Sequence, residues 1–326
     1  MARAVVKPAG PAPKAVTQDL NRLGAALDQQ LPAKVQDNLL IGTWNVRGFG
    51  GLTPKWQSGP NDTPKRDWHA LACIAKVVER FDVTAIQESK RDTTALLALL
   101  EQLGPRYRVI VSDATEGTAG NAERLAYVYD SDRVQPSGLV GEIVLPPAAE
   151  EDAAGRKVEQ FARTPYAAAF VRGGTDFILT TVHVLWGKGP KDRLGEVQAF
   201  ADWMRKWADR PKDWNHNLLV LGDFNLDRID DPLFAAFVST GLWPPPDLGL
   251  VPRTIFDNDK DHHYYDQIAW FNDPTRPDLP PMLNGLTFTN RCGSLDFVPL
   301  VLTGLTKSQL SFRISDHYPL WVEFTI

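Results

Sequence analysis

The chain has 326 residues, 43% of them hydrophobic and 23% charged, with a formal net charge of −5. This balance excludes global disorder and a global positive field for polyanions, so any grip on nucleic acid has to come from a local basic patch or from bound metal. Cys73 and Cys292 form no disulfide framework or metal-ligand spacing, no run approaches the roughly 18 apolar residues of a membrane span, and the N-terminus lacks the apolar stretch of a secretory signal. Reduced thiols and a cytoplasmic monomer with no membrane span are therefore expected.

In chain order, residues 1–37 are rich in Ala and Pro and read as a flexible N-terminal extension. Within them only Thr17 to Gln30 carries a weak helical pattern, through Leu20, Leu23 and Leu27. Residues 38–326 read as one domain. Leu39 to Val46 is an apolar strand followed by a Gly/Pro-rich loop from Gly48 to Pro64. Trp68 to Phe81 places Leu71, Ile74, Ala75 and Val78 at helical spacing, Val83 to Gln87 is a short strand, and Thr93 to Leu103 a second helix. Strands are predicted at Tyr107 to Val111, Leu125 to Tyr129, Ala167 to Arg172 and Phe177 to His183, the last two joined as a hairpin by Gly173-Gly174. Asp192 to Asp209 is the clearest helical pattern, Asn217 to Leu221 a buried strand, and Tyr264 to Phe271 and Tyr318 to Phe324 are further strands. Strands and helices alternate irregularly, which fits two packed sheets with outer helices better than a regular doubly wound sheet.

Several core strands stop at polar residues. Val83-Thr84-Ala85-Ile86 runs into Gln87-Glu88, the strand ending at Val182 into His183, and Leu218 to Leu221 into Gly222-Asp223-Phe224-Asn225. Strand ends gathered at one edge are where a rigid scaffold presents a site. Taken singly, each has a bland explanation: a solvated carboxylate, a Gly-Asp turn, or a histidine satisfied within the core.

Together and in this order they resemble the endonuclease/exonuclease/phosphatase superfamily, deoxyribonuclease I-like branch. The matching stretches are Thr43-Trp44-Asn45-Val46-Arg47-Gly48, Gln87-Glu88, Glu123-Arg124, Thr181-Val182-His183, Gly222-Asp223-Phe224-Asn225, Tyr265-Asp266-Gln267-Ile268 and Ser315-Asp316-His317-Tyr318-Pro319, spread over Leu39 to Ile326. The resemblance implies an α+β fold, a four-layer α/β/β/α sandwich of two packed mixed β-sheets flanked by helices. It implies a divalent-metal-dependent phosphodiester hydrolase, of which a nuclease of low sequence specificity is the first reading, with DNA preferred to RNA as substrate.

Hydrolysis of an anionic diester needs charge neutralisation, an activated water and a proton for the leaving oxygen. By resemblance, Glu88 with Asn45 and Asp316 holds Mg²⁺ or Mn²⁺, hard cations that prefer oxygen ligands. His317, oriented by Asp266, activates water, and His183, oriented by Glu123, protonates the leaving oxygen. Asp223 and Asn225 contact the phosphate, the water or a second metal. Arg47, Arg163, Lys90 and Arg91 are the expected substrate contacts.

Asn121 and Ala122 stand where deoxyribonuclease I has an aromatic wedge, which argues against its mode of groove binding. Among residues outside the motifs, His69, His216, His262 and His263 read as solvated or locally bonded, with His263, near Asp266, the one of the four within reach of substrate. The Trp residues read as packing, with Trp186, three after His183, the candidate to line the cleft. The competing functions are a phosphatase or phospholipase C-type hydrolase of the same fold, acting on inositol phosphates or sphingomyelin, and a non-catalytic binding module. Tyr265-Asp266-Gln267-Ile268 lacks the pattern of inositol polyphosphate phosphatases, no exposed apolar hairpin for a membrane is visible, and every motif position holds a competent side chain.

Overall fold

Alternation along the two most apolar strands sets the layers. In β1 (Asn38–Phe49), Leu39 and Ile41 point one way and Leu40, Trp44 and Val46 the other, yet all are buried. A strand covered on both faces lies between two layers. The same holds in β8 (Leu218–Asp223), where Leu219 and Leu221 share the inner cluster with Leu39 and Ile41, while Leu218 and Val220 pack outward.

The computed structural model describes residues 5–146, 160–258, 261–275 and 282–326. Around β1, the first sheet adds β2 (Val83–Lys90), β3 (Tyr107–Val111), β4 (Glu123–Asp130), β11 (Thr287–Ser294) and β12 (Leu320–Thr325), in the order β11-β12-β1-β2-β4-β3. Around β8, the second adds β5 (Gln135–Glu142), β6 (Tyr166–Arg172), β7 (Thr175–His183), β9 (Leu242–Trp243) and β10 (Asp266–Phe271), in the order β5-β6-β7-β8-β10-β9. The inner faces of the two sheets meet in one apolar layer. The outer face of the first is covered by α1 (Lys14–Gln30), α2 (Trp68–Val78) and α3 (Thr94–Leu103), a single turn α4 (Gly117–Gly120) precedes β4, and the outer face of the second is covered by α5 (Pro190–Ala208) and α6 (Pro232–Val238). The expected four-layer sandwich is the observed fold. Among the described residues no helix is long and apolar enough to cross a membrane.

Each sheet holds one parallel pair at its centre, β1 with β2 and β7 with β8. A parallel pair needs a crossover, and here α2 and α5 supply it. α2 is well started: Asp67 accepts the Ala70 backbone N–H at 3.0 Å, and its other carboxylate oxygen takes the Ser58 N–H at 2.8 Å.

The N-terminal segment differs from the expected flexible extension. Lys14 to Gln30 forms α1, which buries Val16, Leu23 and Leu27 against α2. Asp19 accepts the Leu302 N–H at 2.7 Å, lies 3.1 Å from His69 Nε2, and pairs with Arg22. The helix was faint in the sequence because its N-cap is Pro13, with no side-chain cap, and its apolar stripe is only one residue wide per turn.

Three strands, β5, β9 and β11, lie outside those expected from the sequence; β9 is only two residues long, and the other two share a reason. β5 carries Pro136 and Gly138 and sits at a sheet edge, and β11 is interrupted at Asn290, whose φ is 62°. Edge strands with breakers have little apolar alternation to betray them.

Candidate active site

Parallel strands end at a common edge, and the residues just past their apolar runs converge there. Asn45 near the end of β1 donates its side-chain amide to Asp223 Oδ2, at the end of β8 in the other sheet, at 2.9 Å. Next to Asp223, at the end of β7, stands His183. The antiparallel neighbours start at the same edge, so β4 opens with Glu123 and β10 with Asp266. His317 arrives just before β12.

Two imidazole–carboxylate couples result. His183 Nδ1 lies 2.7 Å from Glu123 Oε2, and His317 Nδ1 lies 2.6 Å from Asp266 Oδ2. Each couple joins the two sheets, in opposite senses, since Glu123 and His317 belong to the first and His183 and Asp266 to the second. The free Nε2 atoms both face Asp223 Oδ2, at 3.7 Å from His183 and 3.8 Å from His317. With Nδ1 held by a carboxylate in each ring, Nε2 is the atom left for chemistry.

The electrostatics of the couples are unlike. Burial on its own would lower the His317 pKa, but Asp266 and Asp223 reverse this and push it up to about 10. Burial raises the Asp266 carboxyl to about 6 against the pull of His317, so the proton they share belongs to the imidazole. For Glu123, burial works towards a higher pKa, yet His183, Arg163 and Lys90 hold it well below the usual carboxylate range. Arg163 Nε is 2.7 Å from Glu123 Oε2 and Lys90 Nζ 2.8 Å from Oε1, so two cations share this carboxylate with the His183 ring. Asp223, fully buried, is likewise held down by His317, His183, the Asn45 amide and the Asn225 N–H, although burial opposes them.

The metal candidates line the same cleft of about 340 Å³. Glu88 has a left-handed φ of 60° at an irregularity between Ile86 and Ser89, which costs about 1–3 kcal/mol and re-aims its side chain. Its Oε2 accepts the Gly48 N–H at 2.7 Å. Asn45 Oδ1 is buried and has no hydrogen-bond partner among the described residues, while the opposite amide orientation would set oxygen against the Asp223 carboxylate. An orphaned carbonyl oxygen beside Glu88 and Asp316 is what an oxygen-loving cation requires, so the residues fit the expected metal. Asp266, Asp223 and His317 also bring ligand-type atoms within 4.8 Å of one another. The 2.6 Å contact between Asp266 and His317 already uses those atoms as a proton-sharing pair, so we read this second group as acid–base machinery.

Supporting contacts hold the Ser-Asp-His turn. Ser315 donates to Asn45 O at 2.6 Å and accepts the His317 N–H at 3.1 Å. Arg66, buried and kept charged although burial lowers its pKa to about 10, donates to Arg47 O, Gly48 O, Arg313 O and Ile314 O.

The expected substrate contacts divide. Arg47 pairs with Asp316 at 3.0 Å and is about a third exposed, and Arg91 pairs with Glu116 away from the cleft. Lys90 and Arg163 are committed to Glu123 and position it instead of projecting to solvent. Asn225, with φ 52°, gives its side-chain amide to Val184 O at 2.7 Å. His263 and Trp186 do line the cleft. Sequence reasoning missed Thr254 and Phe256 there, and also Glu196, whose two oxygens take the Ala162 and Leu185 N–H groups at 2.8 and 2.9 Å and so fix the segments carrying Arg163 and His183. A signal existed for the last: Glu196 and Arg193 lie on the apolar stripe of α5 that continues through Val197, Phe200 and Met204.

The model of the Endonuclease/Exonuclease/phosphatase family matches residues 42–317. A protein named deoxyribonuclease from a Thioalkalivibrio species is 27% identical over 313 residues, 90% of this chain and 73% of that protein. Among solved structures, an endonuclease/exonuclease/phosphatase family protein from Bacteroides thetaiotaomicron superposes with a TM-score of 0.58 at 18% identity, covering 90% of this chain and 99% of the other. A mannosyl-6-phosphatase from the same species gives 0.56 at 18% identity, over 88% of this chain and 100% of that one. D. rerio TDP2 complexed with single strand DNA product gives 0.54 at 14%, over 89% and 99%.

Proposed function

Because this chain belongs to the endonuclease/exonuclease/phosphatase family and is a hydrolase of that family, we propose that it is a divalent-metal-dependent phosphodiesterase that cleaves nucleic acid, DNA in preference to RNA, with little sequence specificity. The observation that carries the reading is the pair of opposed imidazole–carboxylate couples facing Asp223, with Nε2 of each ring free. A diester needs a proton removed from the attacking water and another delivered to a leaving alkoxide, and two separately oriented imidazoles answer that need. The similarity to a protein named deoxyribonuclease favours nucleic acid as substrate.

His317 takes the proton of the attacking water at Nε2. Asp266 and Asp223 stabilise the imidazolium this creates, and because the same two carboxylates raise the resting pKa to about 10, the ring acts as a base only after its Nε2 proton has left. His183 delivers a proton from Nε2 to the leaving oxygen, while Glu123 holds the other ring nitrogen and fixes the ring plane. Lys90 and Arg163 keep Glu123 anionic, so that it remains an acceptor throughout. Glu88, Asn45 and Asp316 are the residues to hold Mg²⁺ or Mn²⁺, which supplies neutralisation of phosphate charge. Arg47 stands beside Asp316 with part of its surface open to a phosphate.

The test is nicking of supercoiled plasmid at low salt with Mg²⁺ and Mn²⁺, across a salt series, beside RNA, a sugar phosphomonoester and sphingomyelin, for wild type and His183→Ala. Nicking is expected to need the cation, to fall steeply with salt and to drop at least about 100-fold in the variant. Intact plasmid and RNA together with turnover of the monoester or the lipid would overturn the nuclease reading.

A further inference from the structure

The cleft carries two half-exposed aromatic rings that no proton-transfer or metal role uses, Trp186 at 51% and Phe256 at 48% exposure. Trp186 is held in place. The Arg193 guanidinium lies 4.6 Å from its ring centre, and Arg193 is itself almost completely buried, bonded to Asn225 O at 2.7 Å and to both oxygens of Asp227. Tyr265 meets the indole edge-on, with ring centres 5.5 Å apart, and the Leu185 N–H bond to Glu196 fixes the preceding residue. A large apolar ring kept rigid and left open at a cleft is a contact surface awaiting a flat partner.

Its position identifies the partner. Ring-centre steps of 5.5 Å to Tyr265 and 5.8 Å from Tyr265 to His317 connect Trp186 to the acid–base groups. A planar group lying on Trp186 is therefore two ring contacts from His317, within reach of a nucleoside joined to a phosphate placed between the two imidazoles. We propose that Trp186 is the stacking platform for the nucleobase next to the scissile phosphate, and that it makes the enzyme favour single-stranded or frayed nucleic acid over closed duplex. This rests on the nucleic-acid reading of the same site. Every base has a π-face, so such a platform tolerates any sequence, and a base stacked on the protein has to leave the helical stack first.

The experiment uses the full chain with Mn²⁺ and single-stranded oligonucleotides in which one phosphodiester is cleavable and the rest are methylphosphonates. A tetrahydrofuran abasic residue is placed on the 5′ or the 3′ side of that bond. Wild type is expected to prefer the intact base over the abasic residue by about 10- to 100-fold in kcat/KM at one of the two positions. Trp186→Ala should bring that ratio to about one, and Trp186→Phe should keep most of it. A general folding defect lowers both rates and leaves the ratio alone. No base preference in wild type at either position, or an undiminished ratio in Trp186→Ala, overturns the assignment. Failure to cleave any oligonucleotide while a phosphomonoester is hydrolysed overturns the substrate reading, and the platform with it.

Discussion

Asn45 of β1 donates its side-chain amide to Asp223 of β8 across the gap between the sheets, at 2.9 Å, while its carbonyl oxygen has no hydrogen-bond partner among the described residues. One side chain thus serves the proposed acid–base groups with its nitrogen and the proposed metal ligands with its oxygen. Asn45→Ala is expected to weaken Mn²⁺ binding by about 10- to 100-fold, the usual cost of removing a group that orients a metal site. Calorimetric titration of wild type and variant checks this, and equal affinities would remove Asn45 from the metal site.

Asp266→Asn keeps the shape of the couple and removes its charge. The rate should fall by about 10²- to 10⁴-fold at fixed pH, since the imidazolium of His317 loses its nearest counter-charge. Thermal stability should fall less than activity, because the amide oxygen still accepts from the His317 ring and Asp223 remains beside it as a counter-charge. Steady-state kinetics and calorimetry on the same preparation separate the two effects. A variant that loses Tm and activity together would mean that Asp266 is chiefly structural.

His69 on α2 gives a pH dependence of stability. It is 2% exposed, and burial lowers its pKa from 6.5 although Asp19 and Asp67 pull it upwards. The unfolded chain therefore binds more protons than the folded one below about pH 6.5, and stability falls as pH drops from there through the lowered value. Urea midpoints measured from about pH 7 to pH 5 should decline less steeply in His69→Gln than in wild type. Parallel curves would show that another group sets the slope.

Leu27 tests whether α1 is part of the folded unit. It is fully buried against the α2 side of the core, so Leu27→Ala should cost about 2–5 kcal/mol. A change in unfolding free energy below about 0.5 kcal/mol, the size typical of surface positions, would mean the helix is only loosely docked.

Much of the site was legible because each piece sits at the end of an apolar run, where a change from hydrophobic to polar marks the sheet edge. Glu88, His183 and Asp223 are all announced this way, and the couples to Glu123 and Asp266 follow the family order. What could not be read was which cations are already taken. Lys90 and Arg163 look like phosphate contacts in sequence, but only the fold brings both against Glu123. Thr254 and Phe256 reach the cleft through an isolated bridge between Thr254 and His317, 63 residues apart in the chain, a contact that no local pattern encodes. The α1 helix was legible as a helix but not as a packed one, since its apolar stripe is narrow and the surface it covers is formed by α2 and the 300–302 segment.

The contacts that hold the two imidazoles are also the stitches that close one end of the sandwich, because Glu123–His183, Asp266–His317 and Asn45–Asp223 each run from one sheet to the other. A sideways slip of about 1 Å between the sheets breaks all three geometries at once while leaving every strand and most of the apolar layer intact. Activity in this molecule is thus a gauge of sheet-to-sheet alignment, and on warming or in mild denaturant it should vanish before circular dichroism records any loss of secondary structure.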